Sequence, residues 1–385
     1  MSGFSTPNLL SDSGNEIQIH GAVLDLIGAP RPYAASRPIT VSELSLRSPG
    51  PGELQVRIEA AGICHSDLSV VDGNRPRPIP MLLGHEAAGI VTRLGTGVID
   101  LAVGDRVVMT FLPRCGTCAA CATQGFLPCT AGSLSNGNGT LLGGGRRLSR
   151  DGHEVNHHLG VSAFADHATV DRRSVVRVDP DVPPTIAALL GCAVLTGGGA
   201  VINAGRAQPH HTVAVVGLGG VGMAAVMTAT AIGVAAVYGI DLVQSKRDLA
   251  CEVGADSAMT PADAIDNGVR ADIVIEAVGN SRGFDTAIEL VAPGGKIVSV
   301  GLGAPGSTYS IPALRLVSEG LTVKGSYLGS AVPERDIPRF AEMWRNGVLP
   351  LERLVSDNIP LDRINEAMDA LADASALRQI IRFNE

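Results

Sequence analysis

Thr212-Val-Ala-Val-Val-Gly-Leu-Gly-Gly-Val-Gly222 is an apolar run of strand length that breaks into Gly217-Leu-Gly219-Gly220-Val221-Gly222 and then into an Ala/Val/Met stretch reaching Ile232. A GxGxxG signature alone carries little weight. Here it follows a strand and opens a helix, the context its chemistry requires. The bare backbone at Gly219 can approach a pyrophosphate, which the positive end of the following helix holds. The next apolar strand, Ala236–Ile240, ends at Asp241, about 20 residues past the motif, where a carboxylate binds the ribose hydroxyls of an adenosine. That carboxylate repels a 2′-phosphate, so the reading is NAD rather than NADP.

The pattern continues outward. Ser245–Val253 is amphipathic and stops at Gly254, which reads as a helix end. Asp272–Ala277 and Lys296–Val300 are buried strands separated by a helical segment, Gly283–Leu290. Strand and helix in alternation predict a parallel sheet covered on both faces, a doubly wound α/β domain. Ile337–Trp344 and Arg363–Leu371 read as helices, and Gln379–Phe383 as a closing strand. Upstream of Gly191 the character differs. Ile39–Leu46 and Glu53–Ala60 alternate around Ser48-Pro-Gly-Pro-Gly52, and Gly89–Leu94 and Arg106–Met109 continue the β pattern. Residues 1–20 read as a loose tail. The expected division is a β-rich domain over 21–193, a dinucleotide domain over 194–328, and a return to the first domain over 329–385.

The chain has 385 residues, 45% hydrophobic, 3% aromatic, with a net charge of −8. It can build real cores, and its acidity and scarcity of aromatics argue against nucleic acid or an anionic membrane surface as partner. Thr212–Ile240 lacks charge over a length that could span a bilayer, but its glycines and small residues read better as buried strand, turn, helix and strand. Met1–Ile19 lacks the pattern of a signal peptide, so a cytoplasmic location is expected.

Seven cysteines, an odd number, point to metal or catalysis rather than a disulfide framework. Cys115, Cys118, Cys121 and Cys129 form C-x2-C-x2-C-x7-C within the segment 113–131. Four clustered thiolates suit a closed, structural zinc, with iron–sulfur ligation as the competing metal. A second set is dispersed: Gly62-Ile-Cys64-His65-Ser66-Asp67, Gly84-His85-Glu86 and Gly191-Cys192. Two thiolates and an imidazole would leave a fourth zinc position open to water or substrate. Asp67 or Glu86 could orient His85 from behind. Singly, Cys192 could be packing and His85 a satisfied core histidine; they inform as a set. Cys251 is left over and reads as core.

Together these motifs resemble the zinc-containing medium-chain dehydrogenases of the alcohol dehydrogenase family, over nearly the whole chain from His20 to Phe383. GICHSD, GHEAAGIV, the four-cysteine lobe, GC-x3-TG at Gly191–Gly197 and GLGGVG occur in the family's order. The resemblance implies a GroES-like catalytic domain beside a Rossmann domain, two zinc ions per subunit and NAD. It assigns the catalytic zinc to Cys64, His85 and Cys192, with Glu86 as a transient ligand and Asp67 hydrogen-bonded to His85. Ser66 matches the hydroxyl that takes the proton of the bound alcohol. His65 and Arg378 match contacts to the pyrophosphate, Lys246 joins Asp241 at the ribose, and Thr196 packs on the nicotinamide. Phe111, Leu159 and residues near Val300 are expected to line the substrate pocket between the domains.

Two departures stand out. Where many members end their proton relay in a histidine, five residues after the first zinc cysteine, this chain has Ser69. Where thiol-dependent formaldehyde dehydrogenases carry acidic residues, it has Asp72-Gly-Asn-Arg75-Pro-Arg77-Pro, which weakens that alternative and makes an anionic substrate conceivable. The expected reaction is hydride transfer between a primary or aromatic alcohol and NAD. A non-catalytic nucleotide-binding protein of the same fold would predict a broken zinc triad, which this sequence does not show. The long segment Thr130–Gly160 resembles the insertion of dimeric members, so a homodimer is expected.

Overall fold

The computed structural model describes residues 16–383. In chain order the strands are β1 (Glu16–Leu24), β2 (Ile39–Arg47), β3 (Glu53–Ile63), β4 (Met81–Leu82), β5 (Glu86–Leu94), β6 (Arg106–Met109), β7 (Leu148–Arg150), β8 (His153–His157), β9 (His167–Asp171) and β10 (Val175–Arg177). These form the β-rich part. β1, β2, β7, β8 and β4 close into a barrel, and β10, β6, β5 and β3 build a neighbouring sheet that β9 joins through β3. β1 starts at Glu16 and pairs with β2 along its whole length, so the last residues of the expected tail are strand. The rest of that tail lies outside the described residues.

The second sheet is parallel and six-stranded. β11 (Thr212–Val216), β12 (Ala236–Ile240), β13 (Ser257–Met259), β14 (Ala271–Glu276), β15 (Val291–Ser299) and β16 (Thr322–Gly325) lie in the order β13-β12-β11-β14-β15-β16. β11 leads the helix Gly220–Ala231, and its neighbours β12 and β14 lie on opposite sides. The order therefore reverses at the carboxyl end of β11, where a doubly wound sheet opens a crevice for a ligand. β17 (Asp357–Ile359) and β18 (Gln379–Arg382) return to the first sheet, β18 pairing antiparallel with β3.

The two parts are joined by one helical run, Pro184–Gly205, which crosses the boundary expected at residue 193. Among the described residues it is the one helix long and apolar enough to span a bilayer, and 89% of its most apolar window is buried inside the protein. Its burial follows from packing on both sides. Ile186, Leu189, Val194 and Leu195 share a core with Met223, Val226 and Met227 of the helix after the glycine loop. The run widens into a π turn over Leu190–Val194, a distortion frequent at functional sites. Gly191 sits at the contact with β6. A Cβ there would overlap the Met109 carbonyl oxygen, so the bare backbone is what lets the next residue, Cys192, come against the first domain.

Cys251 is exposed on the helix Gln244–Glu252, against the core reading of it. That helix is buried through Ala250, and the neighbouring position points away.

The barrel carries its own pH sensitivity. His157 ends β8, fully buried, and its Nε2 accepts the Arg147 N–H at 3.0 Å, which requires a neutral ring. Burial, then the charges of Arg146, Arg147 and Arg47, push its pKa down to about 3. An unfolded histidine takes up its proton near pH ~6.5. The ring's contribution to stability is therefore fully present above that pH and is lost as pH falls toward the folded value. His157→Gln keeps an acceptor without a titration. Chemical denaturation at a series of pH values should show its stability falling less steeply, by up to about 1.4 kcal/mol per pH unit between roughly pH 6 and 4. An unchanged slope would place the acid sensitivity elsewhere.

Candidate active site and metal centres

Cys64 closes β3 and caps the helix His65–Val71. Its N–H donates to Asp67 Oδ2 at 3.0 Å, and the Asp67 N–H bonds back to the Cys64 carbonyl at 2.9 Å. A carboxylate in the first helical turn is favoured by the unpaired N–H groups and the dipole there. The cap thereby fixes Asp67, whose other oxygen, Oδ1, takes His85 Nδ1 at 2.9 Å. His85 lies in the turn leading into β5, so its Nε2 points away from Asp67 toward the thiols. Cys192 Sγ lies 3.6 Å from that Nε2. The ligand atoms of Cys64, His85 and Cys192 all lie within 4.8 Å of one another, and all three residues are buried.

Asp67 is also approached by His158 Nδ1 at 3.2 Å. Burial opposes the charge on Asp67, but His85 and His158 outweigh it and hold the carboxyl at about 2. Glu86 is fully buried, and neither of its oxygens has a hydrogen-bond partner. Burial pushes its pKa up to about 7. Arg378 Nη1 stands 3.6 Å from Glu86 Oε2 and donates to the Ile63 carbonyl at 3.0 Å.

Two soft thiols, one imidazole oriented by a carboxylate, and a buried carboxyl without a hydrogen bond form a donor set that fits a divalent zinc with an open position. The second cluster fits a closed site. Cys115, Cys118, Cys121 and Cys129 place their sulfurs within 4.8 Å of one another, with Cys115–Cys121 and Cys118–Cys129 at 3.9 Å. A tetrahedral zinc with Zn–S of ~2.3 Å sets its sulfurs roughly 3.8 Å apart. Cys129 also accepts the N–H groups of Cys115 and Gly132, each at 3.3 Å, as a thiolate would. Hydrogen bonds from Thr117 hold Cys115 at about 5, whereas burial, together with the neighbouring thiols, pushes Cys121 up to about 12. Four thiolates held this close would need a cation to neutralise them.

Cys64 and Cys192 of the first cluster line a cleft between the two parts, and His85 lies behind them. Cys64, His65, Ser66, Phe111, Cys192, Thr196, Val221 and Val300 all line it. From it a groove runs along Gly217, Gly219, Gly220, Val221 and Gly222 to Asp241 and Lys246, with His65 and Arg378 on its opposite wall. The loop's geometry needs glycine at both ends. Gly217 has φ +92°, and a Cβ on Gly222 would overlap the Gly217 carbonyl oxygen. At Gly219 a Cβ would meet nothing, which leaves that backbone open to the groove. Asp241 accepts the Leu218 N–H at 2.8 Å and the Val243 N–H at 2.9 Å, tying the strand end to the loop. Leu159 does not reach the main cleft. It lines a deeper recess beside His85, Phe111 and Ser66.

Sequence reasoning missed His158, Tyr327 and Arg247. His158 follows β8 and meets Asp67 only through the barrel. Tyr327 lies just after β16, yet its ring packs edge-on against Phe111, with centroids 5.6 Å apart. Arg247 donates to the Asp241 and Leu242 carbonyls at 2.9 and 2.8 Å. Only Arg247 sat where a local signal existed, in the helix that follows Asp241.

Comparison with known proteins agrees with this geometry. The family model "Alcohol dehydrogenase GroES-like domain" matches residues 50–180, and "Zinc-binding dehydrogenase" matches residues 220–346. Alcohol dehydrogenase B of Mycobacterium tuberculosis is 33% identical over 363 residues, 91% of this chain and 96% of the relative. An alcohol dehydrogenase zinc-binding domain protein from Burkholderia ambifaria superposes with a TM-score of 0.89 at 31% identity, over 96% of this chain and 100% of that one. The benzyl alcohol dehydrogenase of Acinetobacter calcoaceticus gives 0.87 at 30% identity, with the same coverage.

Proposed function

The chain belongs to the zinc-binding, medium-chain alcohol dehydrogenase family and is an alcohol oxidoreductase; from that premise we propose that it moves hydride between a primary or aromatic alcohol and NAD, with one catalytic and one structural zinc per subunit. The observation that carries this reading is the convergence of Cys64, His85 and Cys192 beside a cleft that Cys64 and Cys192 line and that shares Cys64, His65 and Val221 with the glycine-loop groove. Zinc held there supplies Lewis acidity toward the alcohol oxygen. Ser66 lines the same cleft, beside Cys64, and is assigned the alcohol proton. Thr196 and Val300 flank the nicotinamide end, and the aromatic wall of Phe111 and Tyr327 suits an aryl substrate. The likeness to a benzyl alcohol dehydrogenase supports the same class. The resemblance of the segment Thr130–Gly160 to the insertion of dimeric family members supports a homodimer.

Asp241 supports NAD over its phosphorylated form, because a carboxylate bonded to the loop N–H cannot swing away from a 2′-phosphate without breaking that bond. Steady-state turnover of benzyl alcohol with each cofactor tests the reading, with NAD preferred by about tenfold or more and Asp241→Ser narrowing the ratio. No turnover of any alcohol would reject the activity, and equal efficiency with both cofactors would reject the NAD assignment.

The proton route is narrowed by Ser69. Its hydroxyl donates to the His65 carbonyl at 3.0 Å, so it is committed to the helix backbone. His65 lines the cofactor groove as well as the cleft. Ser66→Ala should lower kcat by about 10²-fold or more, Ser69→Ala should change it little, and His65→Ala should mainly raise the KM for NAD. A His65→Ala variant that loses a titration from kcat but keeps its NAD affinity would make His65 the relay base.

A further inference from the structure

The recess beyond the metal triad is lined by aromatic and apolar side chains on one side and by two arginines on the other. Ser66, Phe111 and Tyr327 face Arg75 and Arg77 across a narrow recess, and Arg75 also lines the main cleft. Both arginines are half-buried. Each is anchored by a backbone carbonyl rather than by a carboxylate: Arg75 Nη2 donates to Leu302 O at 2.7 Å, and Arg77 Nη1 to Asn136 O at 3.2 Å. Among the described residues neither forms an ion pair. Asp72, the acidic residue nearest in sequence, is occupied by the N–H and side-chain amide of Asn74, at 2.8 and 2.7 Å.

A guanidinium has five N–H donors and stays charged, so one carbonyl leaves most of each arginine's capacity unused. Two like charges facing one half-buried space repel each other and are costly to desolvate unless an anion joins them. The pyrophosphate and ribose end of a dinucleotide does not account for them. The groove that runs to the glycine loop is lined by His65, Lys246 and Arg378, and neither Arg75 nor Arg77 reaches it. They stand on the substrate side, past Ser66, where the far end of a bound alcohol would lie.

We infer that the substrate is an aryl alcohol or aldehyde carrying an anionic group, a carboxylate or phosphate-type anion, on the end remote from the reacting carbon, and that Arg75 and Arg77 clamp this group. The inference rests on the alcohol dehydrogenase reading of the same cleft. It adds a specificity element to that reading: the arginines fix the depth and direction of the substrate, while Ser66 and the metal triad meet its hydroxyl. Planar guanidinium forks suit carboxylate and phosphate oxygens alike.

The test compares 4-(hydroxymethyl)benzoate with its methyl ester, each oxidised with NAD by the zinc-loaded protein. The carboxylate should have a kcat/KM higher by about tenfold or more, mostly through KM. Arg75→Gln and Arg77→Gln should each pull that ratio toward one, and Arg75→Lys should restore part of it. A third alcohol with a phosphonate in place of the carboxylate separates the two anion classes, and a preference for either supports the clamp. Calorimetric binding of benzene-1,4-dicarboxylate gives a readout without turnover, and both Gln variants should weaken it. Oxidation of the ester with a ratio at or below one would overturn the anion site and leave the alcohol dehydrogenase reading intact. A high ratio unchanged in both Gln variants would also overturn it. Failure to oxidise any alcohol, with dicarboxylate binding retained and arginine-dependent, would count against the activity but support the anion site.

Discussion

Cys192→Ala is expected to remove one of two zinc ions per subunit and to lower kcat/KM for alcohol oxidation by about 10³-fold or more, since Lewis acidity at the reacting oxygen contributes several kcal/mol. The fold should survive. Cys192 lies on the buried run Pro184–Gly205, where Ile186, Leu189, Val194 and Leu195 share the core with Met223, Val226 and Met227 of the helix Gly220–Ala231. Alanine there leaves a small void and the rest of the interface in place. Elemental analysis, far-ultraviolet circular dichroism and steady-state kinetics on one preparation check the three parts of the expectation. Two zinc ions retained in the variant, or full activity with one, would remove Cys192 from the ligand set. Iron in place of zinc in the native protein would overturn both metal assignments.

The opposite pattern is expected at the other cluster. Cys129→Ser should lose the second zinc and destabilise the protein, while the residual folded fraction still turns over alcohol. Cys129 is fully buried and accepts two backbone N–H groups, and it caps the helix Thr130–Asn138. Apart from the sulfur cluster, the lobe has few apolar anchors. Ala120 and Cys129 are buried, whereas Phe126 and Leu127 are exposed. With so little apolar surface to bury, the metal bonds supply much of its folding free energy. A fall in the thermal midpoint on the order of 5–10 °C is expected, with protease cleavage concentrated between Cys115 and Cys129. A chelator that strips this metal from the native protein should reproduce both effects. Unchanged stability and zinc content would make the four cysteines a packing cluster rather than a metal site.

The two expectations differ because the clusters differ in construction, and the sequence shows that difference only in part. Four cysteines within fifteen residues announce a loop-borne metal site by spacing alone. Such a loop closes on itself, so its geometry is local. The glycine loop was legible for the same reason. Strand, turn and helix are consecutive, and the positive φ at Gly217 and the tight contact at Gly222 are properties of one short segment. Parallel strands separated by helices left little choice of architecture, and the ends of β11, β12 and β14 came within a residue, whereas β15 starts at Val291, ahead of the expected Lys296, and the outer strands β13 and β16 were not read. The N-terminal strand was hidden because Glu16–His20 is polar on its exposed face and is strand only through its pairing with β2.

Residues that meet across the fold could not be located this way. Cys64, His85 and Cys192 belong to three elements, and only the pressing of Gly191 onto Met109 brings the last of them to the other two. His158 reaches Asp67 because the barrel turns it inward, Tyr327 reaches Phe111 because the chain doubles back after β16, and Arg75 and Arg77 share one recess because Leu302 and Asn136, distant in sequence, hold them there. Sequence alone determined the segments whose hydrogen bonds and metal bonds close within a few residues. Tertiary structure decided every feature that depends on side chains from separate elements meeting, because such contacts are set by the packing of whole sheets and helices and leave no local periodicity to read.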